Sequence, residues 1–208
     1  MSQDVQRPRR RQVDRRLEAE RRLLVAAAEL IGEVGPTRMT LSDIGERAGY
    51  SRGLATHHFG SKGALVQRIM DTVTTEFHDE LAAHRTTDSA REALRGIVLD
   101  YVGGLAEISP LIRARIALWA DAAASGTPDD RRGAASADHR FRAEILHCLD
   151  RGLESGEIVD VDREGFTTVL VGMLRGIALQ YFLDADLDLV GCQAEALAFV
   201  DLRLAPRS

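Results

Sequence analysis

Helical spacing of apolar residues runs through nearly the whole chain and restricts its fold more than any other feature. Apolar positions recur three and four residues apart, as at Leu24, Ala28 and Ile31, and the 208 residues contain only five prolines. No segment alternates apolar and polar residues between turn signals, as a half-buried strand would. The pattern therefore predicts an all-α protein of about nine helices.

Start and stop signals divide the first seventy residues into four predicted helices. The first is expected over residues 13–34, because Gly35-Pro36 then ends the periodic pattern. A turn at Gly49-Tyr50 separates two short helices, and the fourth helix is expected to continue to about His84. Each of these last three begins after a hydroxyl side chain that suits the N-cap position, namely Thr40, Ser51 and Ser61.

Five more helices are predicted beyond Asp88. They are expected over residues 88–107, 109–125, 128–154, 163–183 and 188–204. Two of their starts are well marked, because Ser109-Pro110 and Thr127-Pro128 place a capping side chain before proline at the first helical position.

Charge is distributed unevenly between the two ends of the chain. Residues 1–70 contain 13 Lys and Arg against 8 Asp and Glu, whereas residues 71–208 contain 14 against 24. A nucleic-acid partner would be attracted to the first part and repelled by the second, unless the difference arises by chance. This predicts a basic, disordered arm over 1–12, a DNA-binding domain over 13–62 and a larger helical domain over 63–208.

Several other classes of protein lack support in the sequence. The chain has no run of eighteen apolar residues, which argues against a membrane partner, and no apolar stretch follows its basic start, which argues against secretion. Cys148 and Cys192 have no metal or redox spacing, which is typical of a reduced, cytoplasmic protein. The adjacent pair His57-His58 would point about 100° apart on a helix. No cofactor, metal site or catalytic residue is therefore expected.

A helix-turn-helix pattern occupies residues 40–59. The string GYSRGLATHHFGSKGAL at Gly49–Leu65, preceded by TLSDIGERA, resembles the signature of the TetR family of bacterial transcriptional repressors. The resemblance covers about Leu17–Met70, and the rest of the chain matches the family only in length and number of helices. It implies a dimer that binds a palindromic operator in double-stranded DNA and is released by a small-molecule effector. The alternative is a helical binding protein that no longer contacts DNA.

The resemblance also implies DNA-contacting residues. Arg52 has the reach to bond guanine in the major groove, and Gly53 beside it would let the backbone approach closely. Leu54 is larger than the family's usual residue, so it either contacts a thymine methyl or packs inward. Thr56 replaces the family's tyrosine. The implied contacts to bases or phosphates are Thr40, Ser51, Arg52, Gly53, Leu54, Thr56, His57, His58 and Lys62.

Six arginines precede the motif between Arg7 and Arg16. As a disordered arm they could enter the minor groove, or they could form a solvated tail that adds only non-specific affinity. The sequence leaves both interpretations open.

The last two helices are apolar on more than one side, so each must bury two faces. Small residues there would let another helix approach closely, and the resemblance implies that both helices pair with their copies in a dimer. The expected interface residues are Val169, Gly172, Gly176, Ala194, Leu197 and Ala198. The alternative is packing within one subunit.

An effector site is expected among aromatic, basic and sulfur-containing residues of the second part. Ligand sites are mostly apolar with a few placed polar groups, and an arginine there could bind an acidic ligand or form an ordinary ion pair. The candidates are Tyr101, Arg113, Arg115, Trp119, His147, Met173, Arg175 and Tyr181. The sequence does not identify the ligand.

Overall fold

The computed structural model describes residues 6–82, 87, 89–107, 109–124 and 127–205, and all regular structure within them is helical. This confirms the predicted fold class. The helices are α1 (Gln6–Arg38), α2 (Leu41–Arg47), α3 (Leu54–Phe59), α4 (Lys62–Ala82), α5 (Ala90–Gly103), α6 (Pro110–Ala124), α7 (Pro128–Ser155), α8 (Arg163–Leu183) and α9 (Leu189–Leu204), with a 3₁₀ turn at Gly104–Glu107.

The described residues group into two compact units. The first contains the chain up to Val73 together with Ser109–Arg131, because α6 packs along α1. The second contains Thr74–Ile108 and the chain from Arg132 onward. The functional boundary predicted after residue 62 stays a prediction, since packing alone does not say which residues bind DNA.

Helix α1 is longer than predicted at both ends. It begins at Gln6 and not at residue 13, while residues 1–5 lie outside the described part. The disordered arm predicted over 1–12 stays a prediction. Gln and Arg are good helix formers, and Pro8 lies in the first turn, where its missing N–H has no helical partner. Gly35 has φ +80° and interrupts the helix where expected, and one further turn then reaches Arg38.

Three of the predicted N-caps are confirmed and one is wrong. The hydroxyls of Thr40, Ser61 and Ser109 accept hydrogen bonds from the backbone N–H three residues later, at 3.2, 3.1 and 3.3 Å. Ser51 does not cap α3 with its side chain. Instead its carbonyl accepts the Leu54 N–H at 3.0 Å, and α3 starts after Gly53. A tight turn over 51–53 therefore precedes α3.

Each unit has its own apolar core. In the first unit, α1, α2, α3 and α4 all contribute fully buried side chains, which include Leu23, Ile44, Ala55, Leu65 and Ile69. In the second unit, α5, α7 and α8 contribute Leu94, Ile145, Leu149, Leu170 and Leu174. The predicted stripe of Leu24, Ala28 and Ile31 on α1 thus faces inward.

Helix α8 is long and apolar enough to cross a membrane by length and composition, with a mean hydropathy of 1.4 over eighteen residues. The sequence argument had found no such segment, because it counted uninterrupted apolar runs. Core helices of globular proteins meet the same criteria, and 39% of this stretch is buried inside the unit. The composition of α8 is thus as compatible with a core helix that leaves a second apolar face exposed as it is with a membrane-spanning helix.

Candidate nucleic-acid interface

Helices α2 and α3 and the turn between them form the predicted helix-turn-helix. Thr40 starts α2, and Gly49 with φ +78° reverses the chain after it. The N–H of Tyr50 donates to the carbonyl of Gly45 at 2.9 Å, which closes the end of α2. The turn is therefore fixed by backbone hydrogen bonds.

Gly45 lets α2 approach the turn that leads into α3. A Cβ atom at this position would lie 2.5 Å from the carbonyl oxygen of Ser51 and 3.3 Å from the Cα of Arg52. Both are backbone atoms, so they cannot rotate away as a side chain could. The orientation of α3 relative to α2 thus depends on glycine at this position.

One side of the turn and of α3 is exposed, and the other is buried. Ala55 is fully buried and anchors α3 on the core. Leu54 is half-buried, so its exposure agrees with both interpretations, contact with a thymine methyl and inward packing. The exposed residues are Thr40, Ser51, Arg52, Gly53, Thr56 and His57. The structure thus brings six of the nine predicted DNA-contacting residues onto the exposed surface of this motif.

Arg52 forms an ion pair with Glu46 of α2, with a shortest nitrogen–oxygen distance of 3.1 Å. The Arg52 side chain is 75% exposed and that of Glu46 is 63% exposed. An ion pair this exposed contributes about 0–1 kcal/mol. Arg52 can therefore leave Glu46 for another acceptor at little cost.

His58 lies on the inner side of α3, away from His57. Its side chain is only 11% exposed, and its Nε2 lies 3.3 Å from a carboxylate oxygen of Glu20 in α1. Its ring also packs edge-on against Phe59, with centroids 4.7 Å apart. The expected role of His58 as a phosphate contact is at odds with this position, because the ring already has a partner inside the unit.

Glu20 joins three helices of the first unit. Besides His58 of α3, it accepts a hydrogen bond from Nε of Arg68 in α4 at 2.5 Å. Burial alone would raise the pKa of the Glu20 carboxyl, but the hydrogen bonds from Arg68 and His58 outweigh it and hold the pKa below its ordinary value. The ionised carboxylate thus ties α3 and α4 to α1.

Lys62 at the start of α4 lies at the end of α1. Its ammonium group donates to the carbonyl oxygen of Thr37 at 2.8 Å, and its side chain is half-buried. An ammonium group has three donors, so this contact uses only one of them.

Arg47 fixes α2 against α1. It forms two hydrogen bonds with the carboxylate of Glu33, at 2.6 and 2.8 Å, and a longer one with Glu29 at 3.5 Å. The bond to Glu33 is the largest effect raising the pKa of Arg47, and it lowers the pKa of Glu33 in turn. Such two-pronged pairs are geometrically specific.

Sequence reasoning missed the residues that hold the motif in place, chiefly Glu20, Gly45 and Arg47. Glu20 and His58 are 38 positions apart, and no local pattern connects them. Gly45 did carry a signal, because a glycine inside a short helix usually marks a close approach.

The eight effector candidates do not lie in one unit. Arg113 is exposed, Arg115 buried and Trp119 half-buried, and all three belong to α6 in the first unit. The other five belong to the second unit, where Met173 and Tyr181 are half-buried and His147 is exposed.

Two effector candidates in the second unit have defined neighbours. Tyr101 is buried, and its ring stacks on Phe141 with centroids 5.9 Å apart. Arg175 of α8 forms a largely buried ion pair with Asp138 of α7. The ordinary ion pair that the sequence left open is therefore present at Arg175.

A shallow cavity of about 400 Å³ lies between α8 and α9. Its wall is mostly apolar, and of the effector candidates it includes Met173. The lining residues are Met173, Ile177, Leu187, Asp188, Gly191, Cys192, Glu195 and Ala196.

The surface predicted for dimerisation is apolar and accessible. Val169, Gly172 and Ala194 are exposed, whereas Gly176, Leu197 and Ala198 are half-buried. Other large apolar side chains are exposed on the same two helices, and they include Leu202 at 82% exposed, Leu183 and Val190. Exposed apolar surface of this kind is typical of a protein–protein contact.

Comparison with protein families gives two adjacent matches. Residues 23–69 match the model described as bacterial regulatory proteins of the tetR family, and residues 90–205 match that of the C-terminal part of BetI-type transcriptional repressors. The chain is 27% identical over 169 residues to the HTH-type transcriptional regulator BetI 1 of Chromohalobacter salexigens, covering 80% of this chain and 82% of that one. It is 32% identical over 103 residues to BetI of Klebsiella pneumoniae, covering 48% and 53%.

Solved structures share the fold at lower identity. The SmeT–triclosan complex matches with a TM-score of 0.79 and 22% identity, covering 91% of this chain and 93% of that one. The regulator FadR of Bacillus subtilis in complex with stearoyl-CoA matches with a TM-score of 0.76 and 20% identity, covering 86% and 96%.

Proposed function

The chain belongs to the TetR family of bacterial transcriptional regulators, and we propose that it acts as a dimeric repressor that reads a palindromic operator through α3. The observation that carries this proposal is the exposed side of α2, the turn and α3, which presents Arg52, Thr56 and His57 while Ala55 anchors the helix. The basic charge of residues 1–70 attracts DNA to the same part of the chain.

Base reading is assigned to the start of α3. A helix with its side chains is about 10–12 Å across, and the major groove is about 12 Å wide, so α3 fits inside it. On binding DNA, the Arg52 guanidinium leaves the Glu46 carboxylate and donates hydrogen bonds to guanine O6 and N7. No Cβ blocks Gly53, which lets the backbone approach the bases, and Ser51 and Thr56 flank this contact.

Phosphate binding is assigned to Thr40, His57 and Lys62. Lys62 donates one hydrogen bond to the Thr37 carbonyl and has further ammonium donors for a phosphate. It lies at the N-terminus of α4, where unpaired backbone amides also attract anions. These contacts set the position of α3 on the duplex but carry no sequence information.

Dimerisation is assigned to α8 and α9, through the exposed face that contains Val169, Gly172 and Ala194. Two copies of α3 would then meet half-sites one helical turn apart or a multiple of it, which requires a palindromic operator.

The effector is proposed to be a small molecule bound in the second unit, with Tyr101, Met173, Arg175 and Tyr181 as candidate contacts. Helix α4 contributes residues up to Val73 to the first unit and from Thr74 to the second, so its movement would couple the two sites. The protein is proposed to work in the cytoplasm without a cofactor and without enzymatic activity.

Selection from a random pool of double-stranded DNA tests the proposal. We expect the wild-type protein to enrich a palindrome at roughly physiological salt. Arg52→Ala should reduce discrimination among sequences by about 1–3 kcal/mol, whereas Lys62→Ala should weaken all duplexes alike and flatten the salt dependence. Identical behaviour of the two variants would contradict this division of roles.

Failure to enrich any sequence would have two explanations that can be separated. The selection is repeated after the protein has been unfolded and refolded to remove a co-purified effector. If a palindrome then appears, the first sample was effector-bound. If none appears, the chain is a helical binding protein that does not read DNA.

A further inference from the structure

Helix α3 depends on other helices for its position. Its six residues are too few for a helix that is stable in water by itself. Gly53 at its N-cap makes no side-chain hydrogen bond to the first amides. Within α3, all of which the structure describes, only Ala55 is fully buried, and its methyl group covers little apolar area. The contacts of its half-buried side chains therefore matter for holding α3 in place.

Glu20 of α1 makes such a contact and shares its carboxylate between two helices. One oxygen, Oε2, lies 3.3 Å from Nε2 of His58 in α3. The other, Oε1, accepts the hydrogen bond from Nε of Arg68 in α4 at 2.5 Å. The side chains of Glu20 and His58 are 16% and 11% exposed, so little water competes for their contact. Each oxygen of the carboxylate thus holds a different helix.

The contact between Glu20 and His58 differs from the ion pairs on the surface of the motif. Of the ion pairs that the structure describes, it is the one that joins α3 to another helix. The pair Arg52–Glu46 is far more exposed, so water and salt weaken it. A largely buried carboxylate is unfavourable without partners, so Glu20 keeps its contacts more firmly.

Arg68 keeps this carboxylate charged. Burial raises the pKa of Glu20, but the hydrogen bond from Arg68, followed by that from His58, lowers the pKa below its ordinary value. Without Arg68 the carboxylate would remain buried and lose its main stabilising contact. It would then bind His58 less strongly. Arg68 lies on α4, the helix whose movement is proposed to follow effector binding.

We propose that Glu20 is a positioning residue for DNA reading, which holds α3 on α1 through His58 while Arg68 of α4 supplies the opposite charge. This proposal rests on the proposed function, because α3 is the element that reads DNA there. Displacement of Arg68 would loosen α3 within a single subunit, without any change in the distance between two copies.

The test pairs each variant with a control that removes the same charge from α1. Glu20→Gln is compared with Glu18→Gln, and Arg68→Gln with Arg22→Gln, all in the full chain. Glu18 and Arg22 pair with each other on the surface of α1, at 46% and 56% exposed. An amide has one accepting oxygen, and its NH₂ group only donates, so Glu20→Gln cannot accept from His58 and Arg68 at separate oxygens.

Amide hydrogen exchange of the free protein, followed by mass spectrometry, shows how firmly α3 is held. We expect exchange over residues 54–59 to be about tenfold faster in Glu20→Gln and in Arg68→Gln, because each loses a hydrogen bond to a charged group. Helix α8 in the other unit should exchange as in the wild-type protein, since local opening is confined to the weakened region. Neither control should change either helix.

Operator affinity should fall in the same two variants. A smaller fraction of molecules with α3 in place raises the apparent Kd in proportion, and we expect about a fivefold rise relative to each control. The probe is a duplex enriched by the wild-type protein, and binding is followed by fluorescence anisotropy. Arg68→Lys keeps a cation, and the present contact uses a single donor, so lysine should restore both slow exchange and affinity.

Equal exchange over α3 in Glu20→Gln and Glu18→Gln, with operator binding intact, would overturn the proposal and leave DNA reading untouched. Faster exchange of α1, α3 and α4 together would also overturn it, because Glu20 would then stabilise the whole unit. Unchanged exchange of α3 in Arg68→Gln would refute the control by α4. If the wild-type protein enriches no duplex even after refolding, the proposed function fails, and this role in DNA reading fails with it.

Discussion

The helix-turn-helix and the exposed surface of α8 and α9 differ in the kind of side chains on which they depend. Around α3, polar contacts between helices hold short elements in place, as in the pairs Arg47–Glu33 and His58–Glu20. On α8 and α9 the exposed surface is apolar and its helices are long, with Val169 and Leu202 among the exposed side chains. In the proposed function, one region presents polar groups in a fixed geometry, and the other excludes water when two copies associate.

The contrast shows how one chain separates recognition from association. Hydrogen bonds and ion pairs are directional, so they fix the orientation of α3 and add little net stability. Apolar burial is non-directional and roughly proportional to area, so it suits a surface that meets its own copy. Damage to each region should therefore appear in a different measurement.

The largest expected effect comes from a charge on the apolar surface. Gly172 is exposed in α8, and a Cβ atom there would meet nothing within 4 Å, so Gly172→Glu leaves the subunit folded. In the proposed dimer the carboxylate would be buried without a partner, which costs about 3–5 kcal/mol. Sedimentation equilibrium should show that the association of two subunits is weakened by at least about 100-fold.

Gly32→Glu is the matched control, because Gly32 is also an exposed helical glycine with open space around it. It should remain as dimeric as the wild-type protein. A Gly172→Glu protein that stays dimeric would show that this surface packs elsewhere, and the contrast between the two regions would lose its basis.

A smaller effect is expected from Gly45→Ala in the helix-turn-helix. The added methyl group would collide with the backbone of Ser51 and Arg52, and overpacking of this kind costs about 1–3 kcal/mol. The variant should lose operator affinity and unfold at a lower urea concentration, yet remain dimeric. Gly63→Ala in α4, where the nearest atom is 3.9 Å away, serves as the control and should bind DNA normally. Loss of the dimer in Gly45→Ala would contradict the separation of the regions.

The smallest effect concerns a polar contact inside the second unit. The Glu157 carboxylate accepts hydrogen bonds from Ser89 and from the Ala90 and Arg91 N–H groups at the start of α5. Burial raises its pKa, but these bonds outweigh burial and leave the pKa below the ordinary 4.5. Glu157→Gln should cost about 1 kcal/mol at pH 7, as the loss of a cap does.

This stabilisation has a definite pH dependence. Because the folded pKa is lowered, the contribution of Glu157 is fully present above about pH 4.5 and disappears as the pH falls through the folded pKa. Urea unfolding of the wild type and of Glu157→Gln should therefore converge on acidification. The exposed Glu154→Gln serves as a control and should follow the wild type at every pH. A constant gap between wild type and Glu157→Gln would refute the role of the charge.

Local chemistry made much of the fold predictable. Apolar spacing identified the helices, and Thr40, Ser61 and Ser109 marked starts because a hydroxyl three residues before an N–H is a local arrangement. The prediction of Ser51 as an N-cap was wrong for an equally local reason. Its backbone carbonyl, and not its hydroxyl, accepts the hydrogen bond from the Leu54 N–H. The helix at residues 6–12 was missed because charge was given more weight than helix propensity.

Contacts between distant segments could not be predicted in the same way. Nothing in the spacing of Glu20, His58 and Arg68 reveals that one carboxylate contacts both of the other side chains, because that depends on how three helices pack. The position of Arg113 and Trp119 in a different unit from Tyr101 likewise follows from the packing of α6 along α1. Candidate DNA-contacting residues were easier to name, since the resemblance implies them one by one, and they stay predictions.

The shortness of α3 has a consequence for regulation. A helix of six residues is unstable in water by itself, so α3 persists only while its neighbours hold it. If it were formed in one tenth of the molecules, the apparent Kd for the operator would rise about tenfold with no displacement of the domain. Operator occupancy would then depend on the order of this one short helix as well as on the distance between the two copies of α3 in the proposed dimer.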